Sequence, residues 1–305
     1  MGRVFMRKLS VFCLSVVCGA AQATGNTFGI ENWRLATKKI LVLASIGFTL
    51  IVHNNNVKAG IIYSTAGSTY TENFDTLSGS SWTNDSTLNG WNLFRVTSNV
   101  DATPVAITAI SSVTTLGGAP AGSFYNFASV GSPSDRALGG LGSGGAYFGS
   151  PSTGNVAGWI ATNIVNNTGS TLTSFTVTYN GEQWYKHNNA NTNTMLTEYG
   201  FGSTFNGVAT WTSLGANFPG PIAGATTGAY LDGNAVANRI TNITSTITTP
   251  WTAGSTLWIR YVERNDTGND HGLALDDFRF TAIPEPSALL LVGSSIGVVL
   301  LRRRK

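Results

Sequence analysis

Leu172–Trp184 reads LTSFTVTYNGEQW. Side chains alternate across an extended strand with a period of two, so Phe175, Val177 and Tyr179 share one face and Thr176 and Thr178 the other. A helix would scatter the same residues around its circumference. Ser255–Arg264, STLWIRYVER, repeats the pattern: Leu257, Ile259 and Tyr261 lie opposite Trp258, Arg260 and Val262. Short runs of the same kind occur at YTENFDTL, GWNLFRV, SFYNFASV, GAYFG, GWIATNIVNN, MLTEYGFGS and LALDDFRF. Clusters rich in Gly, Asn and Thr, such as NNTGST, TAGS and NDTGND, separate several of them. No stretch between Gly60 and Thr281 sustains a helical period with caps. The spacing predicts an all-β chain, a single jelly-roll-like sandwich over residues 60–281.

Composition agrees. Charged residues make up 11% of the 305 residues, against about 25% in an average soluble domain. The net charge of +3 belongs to the ends. Seven of the 18 Lys and Arg precede Gly60 and four close the chain, which leaves seven against 13 acids in the body, a net of −6. A nucleic-acid footprint needs basic residues clustered on the folded domain, so nucleic acid is excluded as a partner. Both cysteines, Cys13 and Cys18, lie in the first apolar run, so the body holds no thiol nucleophile, zinc–thiolate site or disulfide.

Residues 1–59 read as a targeting region with two export-like signals in series. Each has a basic start, an apolar run (LSVFCLSVVCGA, then ILVLASIGFTLIV) and small residues after it, which predicts an N-terminal signal helix. The second stands directly before the β-rich body, where a signal peptide belongs, and translation from near Leu35 would make it the ordinary one; the alternative is that the first signal is the real one and the second run a short retained segment. Residues 282–305 contain IPEPSALLLVGSSIGVVLLRRRK. The charge-free run from Pro286 to Leu301 predicts a short C-terminal transmembrane helix. Pro284 and Pro286 mark its start and the basic end stays cytoplasmic.

The order Pro-Glu-Pro, apolar span, Arg cluster, chain end resembles the PEP-CTERM sorting domain of exported Gram-negative proteins. The resemblance implies that Pro284, Glu285 and Pro286 are a recognition motif and that Arg302, Arg303 and Arg304 are the stop signal. It further implies processing by an exosortase-type membrane enzyme and a transient stay in the inner membrane. ENFDTL…NGW near the start of the body and GLALDDFRF at its end are similar to the first and last strands of secreted carbohydrate-binding-type jelly rolls. That similarity implies adjacent terminal strands whose acids hold a structural calcium.

Calcium takes six to eight oxygen ligands, and Asp75, Asp276 and Asp277 are the candidate set. Asp276 and Asp277 are neighbours, so in a regular strand they point to opposite faces and only a bulge unites them. His271 lies next to Asp270, but no anchored serine completes a triad, and the G-x-S-x-G at Gly293–Gly297 falls in the apolar tail. No catalytic residue is therefore assigned. Glu182 and Glu263 interrupt strand-like runs and are the pair a glycosidase would draw on, with an ion pair to Arg260, Arg264 or Arg136 as the plainer role. Trp184 and Tyr185 are adjacent, so one is expected to face outward and contact sugar. The resulting expectation is an exported, non-catalytic protein of the cell surface or extracellular matrix, with exopolysaccharide as candidate ligand. A glycan-active hydrolase or a purely structural surface protein on the same fold is the alternative.

Overall fold

The computed structural model describes residues 60–99, 103–113, 120–129, 131–224 and 226–284. The chain divides into two units, Met1–Val57 and Lys58–Lys305, and every described residue belongs to the second. Both expected signals, the C-terminal span, Glu285, Pro286 and Arg302–Arg304 lie outside the described residues. Among the described residues no helix is long and apolar enough to cross a membrane.

The described residues form sixteen strands: β1 (Ile61–Tyr63), β2 (Thr69–Glu72), β3 (Trp91–Arg95), β4 (Val105–Ala106), β5 (Ser111–Val113), β6 (Ser123–Ala128), β7 (Arg136–Leu141), β8 (Val156–Asn166), β9 (Leu172–Lys186), β10 (Thr194–Phe201), β11 (Thr212–Ser213), β12 (Phe218–Pro219), β13 (Ala229–Tyr230), β14 (Arg239–Trp251), β15 (Thr256–Arg264) and β16 (Gly272–Ile283). They make two eight-stranded sheets. The first runs β11-β10-β15-β8-β3-β4, with β1 on β8 and β12 on β10. The second runs β13-β9-β16-β7-β6-β5, with β14 on β9 and β2 on β16. Only β1–β8 and β5–β6 are parallel pairs.

The two sequences that fix the fold do what their alternation demands. Phe175, Val177 and Tyr179 of β9 meet Leu257, Ile259 and Tyr261 of β15 in the principal core. The Tyr179 and Tyr261 rings lie edge to face at 5.1 Å, and Trp91 packs the same way on Phe278 at 5.1 Å and on Phe74 at 4.8 Å. Each such pair contributes about 0.5–1.5 kcal/mol beyond the area it buries. Trp258 and Val262, on the opposite face of β15, enter a second cluster with Trp159, Phe205 and Val208 on the outer side of the first sheet. A third cluster, with Tyr125, Phe127, Trp184 and Tyr185, covers part of the outer side of the second sheet.

The glycine-rich run after Asp135 is a strand. Gly139 and Gly140 are required in β7 because a Cβ on Gly139 would lie 2.2 Å from the Leu273 carbonyl oxygen, and one on Gly140 2.8 Å from the Glu263 carboxyl carbon. GAYFG is not a strand: Ala146–Phe148 forms a single 3₁₀ turn closed by Gly149 in the left-handed region at φ 70°. The second strand, β2, is antiparallel to the last, β16, over Phe278↔Glu72 to Thr281↔Thr69, whereas the first strand, β1, pairs with β8 in the other sheet.

Three irregularities re-aim side chains. On β9, Gln183 pairs with Leu273 and Tyr185 with Gly272, so Trp184 is an extra residue. On β16, Asp276 pairs with Asn180 and Arg279 with Thr178, so the strand carries one residue more than its partner, and Asp277 sits there at φ 49°. On β14 the register shifts between Ile240 and Ile243, where Asn242 has φ 56°. Beyond these bulges the outer face of the second sheet is a threonine row. Thr69, Thr281, Thr176 and Thr246 stand side by side on β2, β16, β9 and β14. Hydroxyl contacts of 3.1 Å join Thr69 to Thr281 and of 2.8 Å join Thr176 to Thr246, with 2.9 Å between Thr178 and Thr244 one step along.

Candidate functional site

The calcium candidates lie near one another without converging. The bulge in β16 brings both Asp276 and Asp277 into the field of Asp135 and Glu182. The Asp75 charge also acts on Asp135. Each candidate is already engaged: Asp75 accepts from the Arg136 N–H at 3.0 Å and from the Asn73 amide at 2.6 Å. Asp277 accepts from the Asn180 amide at 2.7 Å, and Asp276 from the Asp277 N–H at 2.7 Å. Among the described residues no three His, Cys, Asp or Glu side chains come close enough together to hold a metal ion. What the cluster does hold is buried acid. Burial, and then the Glu182 charge, push Asp276 up to about 8; burial pushes Glu182 up to about 7, against the Trp184 N–H that favours its anion.

Glu263 belongs to a different place. It lies on the inner side of β15, its carboxyl against Gly140 of β7, whereas Glu182 faces the outer side of β9. The two share no cleft. Burial, and then the charges of Asp270 and Asp266, push Glu263 up to about 8, and burial pushes Asp270 to about 8 as well. Neither glutamate forms the expected ion pair. The one within the described residues joins Arg260 to Glu198 at 2.6 Å. Asp270 does not orient His271; it accepts from the Asp266 N–H at 2.7 Å. His271 Nδ1 accepts from the His187 N–H at 3.0 Å, so Nε2 carries the proton and donates to the Asn191 carbonyl at 3.1 Å. Burial lowers the pKa of this ring, which acts as a neutral clamp between two loops.

Neither Trp184 nor Tyr185 faces outward, contrary to the expectation from strict alternation. The bulge at Trp184 turns both rings to the same side of the second sheet, where both are buried. The Trp184 Nε1–H donates to Glu182 at 3.0 Å, and Gly233 lies so close over the indole that a Cβ there would meet ring atoms at 2.3 Å. Tyr185 packs between Tyr230 and His187 at 5.0 and 5.3 Å. These aromatics hold a loop down and offer no face to a ligand.

An open groove lies instead on the outer side of the first sheet, with a volume of about 920 Å³. Its floor carries Asn92 of β3, Asn163 of β8 and Trp258 of β15, and its wall is the loop Gly202–Asn206. That wall is fixed by the sequence. Thr204 caps the turn by accepting from the Gly207 N–H at 3.1 Å, Phe205 stacks on Phe94 at 4.2 Å, and the Trp258 Nε1–H donates to the Gly202 carbonyl at 3.0 Å. At the polar end the Asn92 amide donates to Asn163 at 3.2 Å and to Asp85 at 3.3 Å. Burial raises the pKa of Asp85 while these two asparagines oppose the shift. Under the aromatic end, the Arg260 guanidinium stacks on Trp211 at 3.9 Å and pairs with Glu198. Sequence reading missed this groove. Its signal is a polar residue on the outward side of otherwise apolar strands, at Asn92 in GWNLF and Asn163 in IATNIV, and strand register alone brings those two together.

No protein-family profile matches the sequence, and no curated protein matches it. Solved structures do, among them the N-terminal tandem CBM22 domains of Paenibacillus barcinonensis Xyn10C at 11% identity and a TM-score of 0.33, over 73% of this chain and 48% of that one. Another is the CBM22-1 and GH10 modules of the Clostridium thermocellum endo-1,4-β-D-xylanase 10B complexed with xylohexaose. It matches at 12% identity and a TM-score of 0.28, over 74% of this chain and 30% of that one. A third is the Arthrobacter globiformis T6 isomalto-dextranase complexed with panose, at 12% identity and a TM-score of 0.25, over 71% and 33%. This chain thus spans less than half the length of each. What the groove can bind follows from its own residues.

Proposed function

We propose that this is an exported, non-catalytic β-sandwich protein of the cell surface or extracellular matrix that binds polysaccharide in the groove bordered by the half-buried Asp85, Phe94 and Phe201. The observation that carries the reading is that two half-buried aromatic rings, Phe94 and Phe201, and the half-buried Asp85 carboxylate line one open groove. Pyranose rings offer apolar C–H faces and a fringe of hydroxyls, and they bind where aromatic surface and a few fixed polar groups meet. The absence of a shared cleft for Glu182 and Glu263 supports binding over hydrolysis. Export, inner-membrane residence and exosortase-type processing of the Pro284–Pro286 tail are part of the same proposal and rest on the sequence resemblance.

Native affinity gels cast with neutral and acidic polysaccharides test the binding. The unmodified protein is retarded by at least one of them. Asp85→Asn, which keeps the shape and removes the charge, weakens that binding about tenfold, the value of one charge-assisted hydrogen bond. If no polysaccharide retards the protein, or if Asp85→Asn and Phe94→Ala both bind as the unmodified chain does, the groove is not the site.

A further inference from the structure

Sheet edges expose unpaired backbone N–H and C=O groups, and proteins blunt them with short strands, charges, prolines or bulges. Most outer strands of this sandwich obey. Strands β4, β11, β12 and β13 have two residues each, β5 has three, and β2 has four with Glu72 among them. Strand β14 does not. It has 13 residues and hydrogen-bonds β9 on one side; no other described strand pairs with it. Between Arg239 and Trp251 it carries no charge, and its bulge at Asn242 and its proline at Pro250 stand at the two ends. Ile243–Thr248 is left as a regular, uncharged edge, mostly β-branched, between two register shifts.

That segment is self-complementary. Place an antiparallel copy against it with the two-fold axis at Ser245. Thr244 then faces Thr246 of the copy, and Ile243 faces Ile247. Threonine meets threonine on the outer face and isoleucine meets isoleucine on the inner face. No charge opposes a like charge, and a slip by two residues would set Ile247 against Ser245. The threonine row that already crosses β2, β16, β9 and β14 would continue into the copy without a break.

We infer that β14 pairs with β14 of a second copy of this chain, joining the two second sheets into one continuous sheet about a two-fold axis. A symmetric antiparallel edge contact closes on itself and buries both edges at once. This contact is independent of the groove, which lies on the other sheet.

The test uses the full chain with Cys13→Ser and Cys18→Ser, so that an introduced cysteine is the only one. Ser245→Cys places two thiols on the axis, where directly opposed residues have Cα atoms about 4.5–5.5 Å apart, within disulfide reach. Mild oxidation of the protein in detergent is expected to give a disulfide dimer, and adding Thr246→Lys to the same chain is expected to abolish it. Thr71→Cys, exposed on the same face but on β2, is expected to stay monomeric. Light scattering on the cysteine-free chain is expected to give twice the monomer mass, falling to the monomer mass with Thr246→Lys. The inference is overturned by a monomer mass for the cysteine-free chain. It is equally overturned if Ser245→Cys stays monomeric in protease-resistant protein, or if Thr71→Cys cross-links as readily.

Discussion

Glu263 gives the sandwich a preference for acid. Its carboxyl is fully enclosed, pressed against Gly140, and pushed up to about 8 by burial and then by the charges of Asp270 and Asp266. In the unfolded chain the same group titrates near 4.5. Its folded value is the higher one, so its contribution is complete below pH 4.5 and is lost as pH rises through about 8. In that window the folded state holds a proton the unfolded state has released, and stability falls by about 1.4 kcal/mol per pH unit for this one group. Over the whole window the loss is on the order of 4–5 kcal/mol, a large part of the net stability of a typical domain. Asp270 and Asp276, each raised to about 8, and Glu182, raised to about 7, pull in the same direction. Urea denaturation followed by tryptophan fluorescence at pH 5, 6, 7 and 8 reads the slope. Glu263→Gln replaces the protonated acid with a near-isostere that does not titrate. It is expected to match the unmodified protein near pH 5 and to lose one proton's worth of slope above it. Equal slopes in the two proteins, or a stability that rises with pH in the unmodified one, would refute the assignment of Glu263 as a buried neutral acid.

Two further outcomes follow from packing and from the acid cluster. Arg260→Lys keeps the charge but loses the flat stack on Trp211 and the pairing with Glu198; it is expected to cost about 1–2 kcal/mol in urea denaturation, and a neutral result would show the stack to be idle. Chelator is expected to leave Tm unchanged, because the carboxylates of Asp75, Asp276 and Asp277 already accept from protein donors; a rise of several degrees on adding calcium would show that they rearrange around the ion.

Most of the sandwich was legible because its core strands alternate cleanly. Phe175, Val177 and Tyr179, and Leu257, Ile259 and Tyr261, announce both their strands and their buried faces. The failures have three physical sources. Bulges break the period: Trp184 and Tyr185 share a face, and Asp276 and Asp277 feel the same neighbours, because one extra residue in each strand cancels the alternation. Sparse hydrophobicity hides a second case. RITNITSTITTPW has few apolar residues among Thr, Asn and Ser, which also make turns, yet it is the second-longest described strand, stabilised by the hydroxyl ladder to β9 as well as by its isoleucines. The groove was illegible for a third reason. Asp85, Asn92 and Asn163 come from separate segments, and only the fold brings them to one place.

Strand β16 ends at Ile283, one residue before the Pro284 that opens the tail. It is an interior strand, bonded along its length to β9 on one side and to β7 and β2 in turn on the other. A pull on the C-terminal end therefore enters the domain along the axis of a strand held on both flanks. It loads the ladder from Ile283↔Ser174 to Gly272↔Tyr185 in shear, all rungs together, where an edge strand would peel rung by rung. A protein tethered by this end to a moving surface or a swelling matrix would carry tension through its most tightly gripped strand, and its mechanical lifetime would be set by the rate at which that whole ladder slips.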